Sequence, residues 1–135
     1  MAAYGNPIRT LCKEIPSAFT QINGFEKPRL VFPGVIAIQA TPFISYENAN
    51  EEMQRLSEQL RPQSNQLSNT PLLIVCDDSE FVSHTLNNFL WTTFTRSNPS
   101  HDVYGVNSCF NHKHWACEAP LIIDARKKPH HAPKL

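Results

Sequence analysis

The sequence predicts an α/β fold, with helices packed against a mixed, mostly parallel sheet. Three observations carry this. The run Pro71-Leu72-Leu73-Ile74-Val75-Cys76 is apolar without alternation and stops at Asp77-Asp78, the pattern of a strand buried on both faces. A β-branched run, Val35-Ile36-Ala37-Ile38-Gln39, precedes a helix-like pattern in which Met53, Leu56 and Leu60 share one face. The order strand, helix, strand, helix, strand then builds βαβ units.

Residues 1–29 are interrupted by Pro7, Pro16, Gly24 and Pro28 and are expected to form a lead-in segment that needs an upstream neighbour to order it. The short run at 8–15 fits either one helical turn or a strand. Leu30-Val31-Phe32 is followed by a turn at Pro33-Gly34 and the strand at 35–39. Asn48, with Glu51 three residues on, has the form of a capping box for the first helix, and Pro62 stops that helix at Arg61. Residues 63–69 read as a polar loop. Val82, Leu86, Phe89, Leu90 and Phe94 recur at helical spacing, so one second helix is expected from Asp78 or Ser79 to Arg96. Strands are expected at 102–106 and 121–124. The domain proper is thus 30–126, and 127–135 is an extended tail without core residues.

The chain has 135 residues, enough for one domain with a real core. Lys plus Arg and Asp plus Glu are 12 each, so no long-range field draws a polyanion and nucleic acid is not an expected partner. No apolar run is long enough to span a bilayer. Residues 1–8 lack the charged and apolar regions of a signal peptide, so Cys12, Cys76, Cys109 and Cys117 are expected as free thiols in a cytoplasmic protein.

Three segments together are more specific. Leu73-Ile74-Val75-Cys76-Asp77-Asp78 comes first. Asn87-Asn88-Phe89-Leu90-Trp91-Thr92-Thr93-Phe94-Thr95-Arg96-Ser97-Asn98-Pro99, closing on Asp102, comes second. His112-Lys113-His114-Trp115, followed by Pro120-Leu121-Ile122-Ile123-Asp124-Ala125-Arg126, comes third. Their order and spacing over residues 71–126 resemble the C-terminal domain of the UbiD-family decarboxylases, with Thr95, Arg96, Pro99 and Asp102 matching its Thr-Arg-x-x-Pro-x-x-Asp run. Residues 30–61 agree more loosely. Ala116 departs from the Gly expected after the Trp, which changes the backbone freedom of that loop.

The resemblance implies a three-layer α/β/α unit. Its parent would be a non-oxidative decarboxylase of aromatic or α,β-unsaturated carboxylic acids. Such an enzyme uses prenylated FMN with a divalent metal and often potassium. It implies that the catalytic Glu-Arg-Glu set lies in an upstream flavin-binding domain of the same polypeptide. No catalytic residue is then expected in this chain, and no cofactor is expected bound to it alone. The expected role is to close the substrate pocket over the flavin domain and to contribute to a homo-oligomer. A trimmed piece of a longer chain is the expectation.

Site candidates follow. Asp77 and Asp78 lie where ligands gather in open α/β sheets, at a strand's carboxyl end, although one of them is expected simply to cap the next helix. Arg96 is expected to clamp Asp102 as a bidentate pair, the functional alternative being a substrate carboxylate. By the family match, Val103, Tyr104 and Gly105 are pocket-wall candidates, with ordinary core as the equal alternative. Arg55 is a candidate contact to the cofactor phosphate, weighed against a plain exposed arginine. Phe89, Trp91 and Phe94 read as core or interface packing rather than a flavin platform. Cys109, His112, His114 and Cys117 can compose a zinc shell, although their spacing is not that of a standard finger. That set defines the rival function: a stand-alone Cys/His zinc-binding or protein-interaction module.

Overall fold

The computed structural model describes residues 10–98, 101–111 and 114–129, with the side chains at 64–65, 107–111 and 114–116 left aside. Among the described residues, ten elements follow one another. A 3-10 turn at Ser17–Phe19 precedes β1 (Phe25–Phe32), β2 (Val35–Ala40) and α1 (Tyr46–Leu60). A second 3-10 segment at Arg61–Leu67 leads to β3 (Leu72–Cys76), α2 (Ser79–His84), α3 (Leu86–Arg96), β4 (Val103–Asn111) and β5 (His114–Asp124). The five strands form one mixed sheet in the order β1-β2-β3-β5-β4. The inner strands β2, β3 and β5 run parallel, while β1 and β4 pair antiparallel at the edges. No helix among the described residues is long and apolar enough to cross a membrane.

Period-two alternation divides the core between the two sheet faces. Leu73 and Val75 of β3 join Ile36, Ile38 and Ile122 in a cluster that takes Met53, Leu56 and Leu60 from α1. Ile74 and Cys76 join Val35 and Ala37 in a second cluster with Val82 of α2 and Phe89 of α3. The β1–β2 turn needs Gly34. Its φ is +86°, and a Cβ there would lie 2.9 Å from Leu11 Cδ2. Pro28 is accommodated because β1 is an edge strand with a register shift between Glu26 and Arg29.

Several elements differ from expectation, each for a local reason. Ordered structure starts before residue 30: Cys12, Phe19 and Ile22 are buried in the α1-side cluster, and β1 begins at Phe25. Helix α1 is capped by Ser45, whose hydroxyl accepts the Asn48 amide at 3.1 Å, rather than by Asn48. Residues read as a polar loop after Pro62 continue as a 3-10 segment, a tighter helix that tolerates the proline at its start. The expected second helix is two helices. Thr85 takes an extended conformation and caps α3 through Asn88 N. The break redirects the apolar face: Phe89, Thr92 and Thr93 are buried, whereas Leu86, Leu90 and Phe94 face outward, Phe94 at 75% exposure. The tail also differs, for Lys128 is completely buried.

Candidate functional site at the carboxyl ends of the strands

The parallel strands β2, β3 and β5 deliver Thr41, Asp77 and Asp124 to one end of the sheet. β4 enters at the same end, where its Val103 pairs with Ile123. Beyond β5 the chain turns inward. Arg126 is fully buried and meets Asp124 side-on, Nε to Oδ1 at 2.9 Å and Nη2 to Oδ2 at 2.9 Å. Its Nη1 donates to Glu52 Oε1 and to the Thr41 carbonyl, both at 3.0 Å. Burial alone would lower the Arg126 pKa, but the hydrogen bonds and charge of Asp124, then of Glu52, outweigh it and raise the value. Lys128 Nζ donates to the carbonyls of Asp124, Arg96 and Arg126 and lies 3.6 Å from Asp102 Oδ1. Burial pulls its pKa down, against the charges of Asp124 and Asp102. Phe43 lies under both cations, 5.7 Å from the Arg126 guanidinium carbon and 5.5 Å from Lys128 Nζ.

The paired aspartates separate by task. Asp78 caps α2, accepting from Phe81 N at 3.0 Å. Asp78→Ala is expected to cost about 0.5–2 kcal/mol and Asp78→Asn much less, since Asn also caps; equal thermal midpoints for the two variants would contradict the cap. Asp77 accepts from Lys127 N at 2.6 Å and pairs with Arg96 Nη1 at 3.5 Å. This corrects the expected Arg96–Asp102 clamp. Arg96 turns toward Asp77 and lies 4.9 Å over the Trp91 ring, while Asp102 turns inward to accept Asn98 N at 2.6 Å and face Lys128. Thr95 Oγ1 donates to the Trp91 carbonyl at 2.6 Å. Pro99 lies outside the described residues.

Gly105 is buried and Val103 and Tyr104 are half-buried in β4. Tyr104 packs against the α1-side cluster and its hydroxyl donates to Asn50 Oδ1 at 2.8 Å. Burial first, then Asp124 and Asp102, push its pKa up to about 12. An acid raised this way keeps its proton when folded, while the unfolded chain loses it near pH 10, so stability falls from about pH 10 to 12. Tyr104→Phe is expected to cost about 0.5–1.5 kcal/mol at neutral pH and to flatten that alkaline fall. Melting curves at pH 9 and pH 11 check this, and an unchanged alkaline slope would contradict it.

Two adjoining clefts share Gly24 and Phe25. One, of about 630 Å³, is walled by Gln39, Thr41, Pro42 and Asp77 among others. The other, of about 520 Å³, is walled by Arg55, Glu52, Glu58 and Gln59. Two carboxylates stand beside the one guanidinium there, so these residues do not by themselves make a phosphate site. The side chains of Cys109 and His114, and all of His112, lie outside the described residues. The register pairs Cys109 with Ala116, one step away from Cys117. Among the described residues, no group of three His, Cys, Asp or Glu could hold a metal. Sequence reasoning quoted Arg126 without giving it a role and placed Lys128 in an extended tail without core residues. Asp124 lies only two residues from Arg126, but the partners that bury the two cations are far along the chain, Glu52 at 74 positions from Arg126 and Asp102 at 26 from Lys128, or are backbone carbonyls.

The fold and this site define an α/β domain whose charged residues knit the strand ends together. No protein-family model matches the chain. Over 63 residues it is 35% identical to one subunit of a 4-hydroxybenzoate decarboxylase from Chlamydia pneumoniae, covering 47% of this chain and 11% of that protein. Over 78 residues it is 32% identical to an uncharacterized protein of Chlamydia muridarum, covering 57% of this chain and 13% of that protein. An uncharacterized protein of Chlamydia trachomatis serovar D is 36% identical over 64 residues, covering 47% and 11%. The chain thus spans only a small part of the length of the curated relatives it matches. The likeness gives partial support to a relation with decarboxylases.

Proposed function

We propose that this chain is the C-terminal domain of a UbiD-type non-oxidative decarboxylase, a three-layer α/β/α unit that closes the substrate pocket over an upstream flavin-binding domain. The observation that carries the reading is the partial identity to a decarboxylase protein of which the match is only 11%. The geometry supports it in two ways. The residues of the three resembling segments, Asp77, Arg96, Asp102, Asp124 and Arg126, converge at one end of the sheet. Their donors are largely taken up by internal acceptors, so they shape and hold a wall. The α1-side and α2–α3-side clusters on opposite faces of β3 support the three-layer arrangement.

Prenylated FMN and its divalent metal belong, in this reading, to the upstream domain. That domain is also the proposed occupant of the exposed apolar stripe Phe81, Leu86, Leu90 and Phe94, because most of the relatives' length lies outside the matched segment. The test is CO2 release from benzoate-type and acrylic acids with prenylated FMN. The native gene product is expected to release CO2 and this chain alone to match the buffer control. Release by the chain alone would overturn the reading, as would a native product inactive on every acid of both classes.

A further inference from the structure

Lys128 closes a cage of oxygen atoms. Its Nζ lies 2.7 Å from Asp124 O, 2.8 Å from Arg96 O and 3.1 Å from Arg126 O. Asp102 Oδ1 stands at 3.6 Å and Asp124 Oδ1 at 4.0 Å, and the Phe43 ring centroid lies 5.5 Å from the nitrogen. The side chain is completely buried. Three carbonyls call for three donors, and only the charged ammonium has three; a neutral amine would turn its lone pair toward an oxygen. Asp102 Oδ1, buried and without a hydrogen-bond partner, supplies negative charge, and the ring supplies a π face suited to a cation. Distances of 2.7–3.1 Å to the carbonyls exceed the roughly 2.0–2.6 Å that magnesium and calcium require of oxygen ligands.

The cage is assembled by the fold rather than by Lys128 alone. Arg96 ends α3 and Asp124 ends β5. The Asp102 carbonyl accepts Asp124 N at 2.8 Å, and the Asp102 carboxylate accepts Asn98 N at 2.6 Å. Asp124 is fixed further by Arg126. Removing the lysine side chain therefore leaves Asp102 and Asp124 anchored by other bonds, around a buried carboxylate that has lost its counter-charge.

We infer that this cage is a binding site for a small ammonium-type monovalent cation, which the chain fills with its own Lys128. Lys128→Ala empties it. At constant ionic strength, the folded-to-unfolded ratio of Lys128→Ala is expected to be about tenfold higher in ammonium chloride than in choline chloride, by preferential binding to the folded state. The unaltered chain is expected to show no such difference. Lys128→Leu keeps apolar volume beside Phe43 while vacating the ammonium position, so it decides the matter should Lys128→Ala not fold. Adding Asp102→Asn to the folding variant is expected to abolish the ammonium effect. Three results would overturn the inference: no cation preference in either variant, an equal preference in the unaltered chain, or a preference that survives Asp102→Asn.

Discussion

Arg126→Met is expected to destabilise the domain by about 3–5 kcal/mol, the cost of leaving buried charge without its partner. Asp124 is fully buried and would lose both of its 2.9 Å contacts. Glu52 and the Thr41 carbonyl would lose theirs as well. Methionine restores apolar volume but no donor. A domain of this size has a total stability of roughly 7–20 kcal/mol, so the loss should be obvious in urea. The midpoint should fall with the slope unchanged. Asp124→Asn combined with Arg126→Met should cost less than the two changes summed, because the second change no longer strands a charge. A loss below about 1 kcal/mol for Arg126→Met would mean that the network is not held in this geometry.

Leu56→Ala is expected to cost about 2–5 kcal/mol, the range for a fully buried leucine whose neighbours only partly fill the void. Leu56 is completely buried between α1 and the sheet, in one cluster with Ile36, Ile38, Leu73, Val75 and Ile122. α1 carries Glu52 to Arg126 and Asn50 to Tyr104, so loosening this face should also loosen the site. Hydrogen exchange should quicken at α1 and at the β2 end near Thr41 more than across α3. A cost under about 1 kcal/mol would place Leu56 outside the core.

These two residues mark what the sequence discloses. Leu56 is legible because Met53, Leu56 and Leu60 repeat at helical spacing, and the structure buries all three. The inner strands are legible for the same kind of reason: an uninterrupted apolar run implies burial on both faces, which β3 shows in Leu73, Ile74, Val75 and Cys76. Periodicity misleads in α3, where two apolar stripes compete. Leu86, Leu90 and Phe94 form the more regular one, yet Phe89 with Thr92 and Thr93 faces inward. A stripe awaiting another surface reads the same as a stripe facing the core. The reach of Arg126 to Glu52 and the burial of Lys128 are illegible in principle. A charged, proline-bearing end has the composition of a solvated tail, and only tertiary structure brings Glu52, Asp102 and the Arg96 carbonyl to it. The Arg96–Asp102 expectation failed for a related reason: spacing along the chain could not show that Asp77 lies nearer.

The proposed role makes this domain one part of a larger decarboxylase. The most direct test is the size of the native gene product, by immunoblot of source-cell extract with an antibody raised to this chain. A band several times larger than the 135-residue chain is expected. A single band at the size of this chain would contradict it and leave binding or assembly as its function.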